Sequence, residues 1–206
     1  MLTKKQEEMQ RLVDQMNRCY LCPFAFHRVN VVPYSGTIDT SVALIGEGPG
    51  REEDESGEAF VGPAGRDMLP CMTAFGIQRD HIFIANILKC RPKKPFCPKD
   101  NADPTREQVG NCFPYLWGQL QIVRPKLVIL VGGTAVKWVL DIKSFTMGEM
   151  INQKAKLTEF GPYEVTWDCD YTVMYHPAGA LHNPKTKGNV VKNMRDTFHR
   201  AKRYLA

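Results

Sequence analysis

SVALIGEGPG, residues 41–50, is a short apolar run that breaks on three glycines within five residues. An apolar stretch of this length, closed by a turn signal, reads as a buried strand, and Gly46-Glu-Gly-Pro-Gly50 as the tight turn ending it. The same grammar recurs downstream. His81-Ile-Phe-Ile-Ala-Asn86 is a second strand that ends on an amide, and Lys126-Leu-Val-Ile-Leu-Val131 is a third, stopped by Gly132-Gly133. Residues 163–167 and 171–175 read as further strands. Helical patterns fall between them: an amphipathic one over 3–17, one from Pro63 to Phe75 with Gly76 at its end, and one from about Arg106 to Val123 capped by Thr105. A short helix follows to Leu140, and another closes the chain over 189–204. Residues 91–103, rich in proline and lysine, read as loop, and 144–163 are poorly patterned. Strands alternating with helices predict an α/β fold with a mostly parallel sheet covered on both faces.

On this plan the chemically unusual residues fall together. The glycine turn follows the first strand, Asn86 ends the second, Gly132-Gly133 follows the third, and His176-Pro177-Ala178 follows the last. In open α/β sheets ligands bind beyond the carboxyl ends of the strands, so one rim should collect all four segments. Each also has a plain structural reading: turns for the glycines, strand-end capping for Asn86, a satisfied core histidine for His176. Their coincidence at one edge favours a pocket.

The glycine turn is neither a dinucleotide fingerprint, since position 51 is Arg and no helix is expected at once, nor a Walker A loop, since it lacks the Gly-Lys-Ser/Thr ending. Gly46 and Gly48 instead let backbone approach a ligand while Glu47 presents a carboxylate. Phe60, set between glycines in 57–65, suits stacking on a flat ring, although alone it would pass for a core aromatic. Asn86 carries a donor and an acceptor that can pair with an imide edge. His176 can donate to a carbonyl oxygen that gains charge as a bond breaks. Together these describe a nucleobase pocket with hydrolytic chemistry beside it.

The chain has 206 residues, 43% of them hydrophobic, enough for one domain spanning 1–206 with a full core. Its net charge of +5 permits nucleic-acid binding without requiring it. Positive charge gathers late, at Lys185, Lys187, Lys192, Arg195, Arg200, Lys202 and Arg203, which reads equally as the solvated face of a terminal helix. The start, MLTKKQEEMQRLVDQM, is charged and unlike a signal peptide, and no apolar run nears the roughly 20 residues of a membrane span. A cytoplasmic, reducing setting is expected, where seven cysteines serve metals better than disulfides. Cys19-Tyr-Leu-Cys22 has the spacing that lets two thiolates reach one centre. Cys90 and Cys112 could complete the four-thiolate shell of an iron–sulfur cluster or a zinc ion, with Cys97 a rival for one place. Cys71 and Cys169 read as buried small hydrophobes.

GEGPGREED (46–54), EAFVGPAG (58–65), NILKCRP (86–92) and HPAGALHNP (176–184), preceded by the C-x-x-C pair, resemble the iron–sulfur uracil-DNA glycosylases called family 4. The resemblance runs over about residues 19–200, with the motifs in the family's order. It implies a three-layer α/β/α sandwich on a four-stranded, mostly parallel sheet, and a [4Fe–4S] cluster on Cys19, Cys22, Cys90 and Cys112. It implies a monofunctional, monomeric enzyme acting on uracil-containing DNA. A flipped uracil would stack on Phe60, be read by Asn86 beside Gly46 and Gly48, and have its O2 stabilised by His176. Glu47 would orient or activate the attacking water, and Leu181 would wedge into the space left by the base. Flipping costs least for a mispaired or unpaired base, so U opposite G or in a single strand should be preferred. The chain departs from the family in a longer stretch between Cys90 and Cys112, and in Gly179, Ala180 and His182, where HPxYLLR is common. Residues 91–111 hold no histidine, which disfavours the covalent adduct of a related branch. Two other readings compete: a non-catalytic DNA-binding or polymerase-associated module on the same fold, and a zinc-stabilised hydrolase of a small nucleotide.

Overall fold

The computed structural model of the chain describes residues 2–94, 97–151, 153, 155–178 and 185–205. Its strands are β1 (Ser35–Gly36), β2 (Val42–Gly46), β3 (Phe83–Asn86), β4 (Lys93–Lys94), β5 (Cys97–Asn101), β6 (Leu127–Val131), β7 (Ala155–Lys156), β8 (Glu159–Phe160), β9 (Tyr163–Glu164) and β10 (Asp170–Met174). Helices are α1 (Lys4–Asn17), α2 (Arg51–Ser56), α3 (Pro63–Thr73), α4 (Arg106–Val123), α5 (Gly132–Val139), α6 (Met147–Met150) and α7 (Lys187–Lys202).

The expected four parallel strands form the centre of the main sheet, in the order β3-β2-β6-β10. That sheet is wider than four, however, because among the described residues two-residue strands pair antiparallel at each side, β1 on β3 and β7 on β10. Such short flanking strands cover part of the hydrogen-bonding edge that a bare parallel sheet would expose.

Side chains alternate across a strand, and the core divides accordingly into two. Ala43, Ile45, Phe83, Ala85, Val128, Leu130 and Val173 face one side, where Leu116 and Leu120 of α4 and Val136 of α5 close over them. Val42, Leu44, Ile84, Leu127, Ile129 and Met174 face the other, against Met68 and Met72 of α3 and Met194 and Phe198 of α7. The result is an α/β/α sandwich in which every residue of β2 and β6 is buried. That is why both strands read as unbroken apolar runs.

Three expectations need correction. A helix does begin at once after the glycine turn: Gly50 is the N-cap of α2, whose first turn carries Glu52, Glu53 and Asp54 against the positive end of the helix dipole. Residues 91–103 are not plain loop, because β4 and β5 pair as a hairpin, with Arg91 donating to the Asn101 side chain at 2.9 Å. Residues 163–167 do not form a strand of the main sheet. Only Tyr163–Glu164 is a strand, paired with β8, while Trp167 stacks on Trp117 and donates to the Pro125 carbonyl. Among the described residues no helix is long and apolar enough to cross a membrane.

Candidate active site

Gly46, the last residue of β2, lies beside Asn86, the last of β3, in the parallel register. A methyl group on Gly46 would stand 2.5 Å from the Asn86 Oδ1 and 2.5 Å from Cζ of Phe60. An amide and an aromatic ring from distant parts of the chain therefore converge on one bare backbone position. The ladder continues past the strand ends, with Ile87 N–H donating to Gly46 O and Leu88 N–H to Glu47 O, both at 2.9 Å, which fixes the turn that carries Glu47. Gly48 is different. A methyl there would make ordinary contact with Leu88 and Pro92, 3.4–3.5 Å away, so close packing does not demand glycine at that place. At Gly46 it does. Gly46→Ala should leave the strand intact but displace ring and amide, an overpacking cost of about 1–3 kcal/mol. The expected outcome is a melting temperature lowered by roughly 2–10 °C, with uracil-DNA binding weakened at least about fivefold in a titration at a temperature where the variant is folded.

Glu47 is half-buried. Burial raises its carboxyl above the ordinary 4.5, a hydrogen bond with Thr134 at the start of α5 opposes that rise, and Asp103 adds to it. His176 follows β10 at the rim and is open to solvent on one side, while its inner side packs on Gly132, whose Cβ position would lie 3.1 Å from the histidine Cβ. The protein crowding that inner side holds the imidazole below the ordinary 6.5, and Glu53 acts in the opposite sense. Ala178 N–H donates to His176 Nδ1 at 3.3 Å. With Nδ1 an acceptor, the neutral ring carries its proton on Nε2, a donor at the rim that no acceptor among the described residues engages.

Sequence patterns gave no signal for several charged groups behind this pocket. Glu53 is buried, accepts from Gly62 N–H at 2.9 Å, and presses on Gly50 and Gly62, so it joins the glycine turn to the Phe60 segment. Lys89 is 2% exposed, and its ammonium donates to Asn86 O at 2.8 Å, Gln119 Oε1 at 2.7 Å and Pro33 O at 3.2 Å. Burial pulls this lysine down to about 7. Arg79 donates to the carbonyls of Phe60 and Ala59 at 2.7 and 2.6 Å. Charged residues are ordinarily assigned to the surface from sequence, and partners that are backbone carbonyls leave no motif.

The four cysteines meet on the next layer. Lys89 precedes Cys90, which accepts a hydrogen bond from Arg28 at 3.4 Å, and Arg28 also binds Cys19 O at 2.8 Å. Asn111 donates to Cys22 Sγ at 3.5 Å and to Leu21 O at 3.1 Å. The Cys112 thiol hydrogen-bonds Cys22, holding Cys22 down to about 6 while Cys112 is pushed up. Cys19 hydrogen-bonds Tyr115. Among the described residues no three such donors close on one point as a single ion would need. An iron–sulfur cluster, whose irons each take their own thiolate, asks for convergence rather than a common point. The all-sulfur donor set, with Arg28 and Asn111 aimed at its sulfurs, fits that group. Cys71 and Cys169 are buried elsewhere, as expected.

Leu181, with the rest of 179–184, lies outside the described residues, as does the side chain of Cys97. The late basic residues are spread along α7 and just beyond its ends. Arg200 bonds Thr172 in β10, and Tyr204 just beyond bonds Asp170 at that strand's amino end, away from the rim. Lys187 and Lys192 belong to the other end of α7, where Asn193 binds Tyr175 N–H, next to His176.

The uracil DNA glycosylase superfamily model matches residues 33–199. The type-4 uracil-DNA glycosylase of Pyrobaculum aerophilum is 32% identical over 91% of this chain and 91% of its own. That of Thermotoga maritima is 32% identical over 87% of this chain and 86% of its own. The corresponding protein of Archaeoglobus fulgidus is 32% identical over 88% and 87%.

Proposed function

The chain belongs to the uracil-DNA glycosylase superfamily and to its type-4 branch, and from that membership we propose that it excises uracil from DNA by hydrolysing the N-glycosidic bond. The observation that carries the reading to particular residues is the convergence of the Phe60 ring and the Asn86 amide on Gly46, with Glu47 adjacent. A binding module would need a basic face. It would not need a stacking ring and an imide reader around one bare glycine, with a carboxylate beside them and an imidazole at the same rim of the sheet.

In the mechanism, the flipped base lies against Phe60. Asn86 Oδ1 accepts from uracil N3–H, and its NH₂ donates to O4. As the N1–C1′ bond lengthens, negative charge gathers on O2, where the Nε2–H of His176 donates to it. Positive charge gathers on the sugar, and the Glu47 carboxylate stabilises it while holding the water that adds to C1′. The water proton passes to Glu47 and on to solvent, the bonding pair leaves with uracil, and an abasic site remains. One chain supplies every group invoked, so a monomer suffices. Cys19, Cys22, Cys90 and Cys112 would hold a [4Fe–4S] cluster whose contribution is to cross-link the fold, since hydrolysis of a glycosidic bond requires no electron.

Formation of alkali-labile abasic sites on oligonucleotides bearing U:G, U:A or single-stranded U tests the activity. Cleavage is expected on all three, fastest where flipping costs least. No cleavage by the cluster-loaded protein on any of them would return the module reading. Specificity is tested at Asn86. Cytosine inverts the hydrogen-bonding pattern at both atoms that the amide reads, and each mispaired buried group costs about 1–3 kcal/mol. Asn86→Asp loses the donor to O4, so uracil release should slow at least about tenfold in single turnover. Unchanged uracil kinetics would remove Asn86 from this role.

A further inference from the structure

Phe60 has a backbone φ of 56°, in the left-handed region that bulky residues rarely enter. A residue there persists only where its surroundings over-determine it. The surroundings are visible. The Phe60 carbonyl is held from one side by Arg79 Nη1 at 2.7 Å and packed from the other by Gly65, where a Cβ would come 1.7 Å from that oxygen. Arg79 Nη2 takes the preceding carbonyl, Ala59 O, at 2.6 Å. The same nitrogen donates to Ser35 Oγ at 2.9 Å, and that hydroxyl in turn donates to Ala59 O at 2.9 Å.

All the hydrogen bonds that this guanidinium makes among the described residues thus go to one short segment and to the serine that shares its load. Among the described residues, no carboxylate stands in ion-pair contact with Arg79, although Glu58 and Glu53 act on it from farther away. An arginine kept half-buried without such contact, with a planar fork spent on two successive carbonyls, is fitted to hold backbone conformation. Arg79 itself is anchored, because Gly36 packs so closely that a Cβ there would lie 2.5 Å from its carbonyl oxygen.

We propose that Arg79 is a positioning residue of the base pocket, clamping the carbonyls of Ala59 and Phe60 so that Phe60 keeps its left-handed backbone and its ring stays set beside Gly46 and Asn86 for stacking. The proposal rests on the reading of Phe60 as the stacking residue. Freed of the clamp, the 59–60 segment relaxes towards ordinary backbone conformations and carries the ring away from the base, at some cost to the second core, to whose edge Ala59 and Phe60 belong, while the first core is untouched.

The test is a double-mutant comparison in single turnover on a uracil oligonucleotide, using cluster-loaded protein and temperatures at which each variant is folded. Phe60→Ala should slow uracil release about tenfold or more, and Arg79→Met should slow it comparably. The decisive variant is the double one, which should be no slower than Phe60→Ala within about twofold, because Arg79 acts only through that ring. Arg79→Lys, which can still serve one carbonyl, should recover part of the rate. If Phe60→Ala cleaves normally, the stacking reading itself fails and the clamp with it. If Phe60→Ala is slow but Arg79→Met cleaves within twofold of the parent, the clamp alone is wrong. A double variant slowed by the product of the two single effects also overturns it, since Arg79 would then act independently. Should Arg79→Met not fold, Ser35→Ala removes one support of the same clamp. Its smaller slowdown must vanish in the Phe60→Ala background, and persistence there overturns the proposal.

Discussion

His176→Ala and Glu47→Ala should each slow single-turnover uracil release by about 10²–10³, with both proteins folded and still binding uracil DNA. The size follows from where charge develops. A donor already aimed at O2 requires no reorganisation as the bond breaks, and its loss leaves that oxygen to water. The direction of the Glu47 shift adds a check. Burial raises its carboxyl above the ordinary 4.5, so on acidification it takes up a proton at a higher pH than an exposed glutamate would. The acid limb of the rate should therefore begin early, and Glu47→Gln should remove it along with most of the rate. Stability carries the opposite sign. A raised folded-state value means the native protein binds this proton more tightly than the unfolded chain. The site's stabilising contribution is then present at low pH and declines as pH rises through that value. At neutral pH Glu47→Gln should consequently melt no lower than the parent. If the two alanine variants instead melted early and cleaved almost normally, Glu47 and His176 would be fold residues and the mechanism above would be wrong.

The sheet was readable in advance because Val42–Ile45 and Leu127–Val131 are buried on both faces and carry no polar residue to confuse the period. Helix α2 was not readable, since Arg51–Ser56 contains no apolar residue at all. Its inward face is made of acids whose partners are tertiary, Glu53 on Gly62 N–H and Asp54 on Val29 N–H and the Lys93 ammonium. The β4–β5 hairpin was hidden in the same way by its prolines and lysines. At the pocket, Gly46, Asn86 and His176 stood out as small or polar residues ending apolar runs. Arg79, Lys89 and Thr134 did not, because what each holds is a carbonyl or a carboxylate that only folding brings near.

The largest stability effect is expected at the thiols. Cys19 and Cys22 follow α1, Cys90 follows the Asn86 turn, and Cys112 sits nearly two turns inside α4. A cluster on them would close a loop of about 90 residues between Cys22 and Cys112. By the chain-entropy estimate for covalent cross-links, a closure of that length is worth about 4–5 kcal/mol. For a chain of this size that corresponds to roughly 10–20 °C in melting temperature. Cys112→Ser should lose the broad visible absorption of thiolate-to-iron charge transfer and melt lower by about that amount. Hydrogen bonds already join the same parts, with Asn111 on Leu21 O and Arg28 bridging Cys19 O and Cys90 Sγ, so the variant should remain compact enough to be measured. Cys97→Ser should keep both colour and melting temperature. The pair of variants separates the possible ligand sets: bleaching by Cys97→Ser with Cys112→Ser unaffected would move the fourth thiolate to the hairpin. A colourless parent that binds one zinc ion would replace iron with a structural ion. Under either outcome, the loss on removing the centre should fall on stability and on the set of the Asn86 turn beside Cys90, because nothing in the hydrolysis passes through the metal.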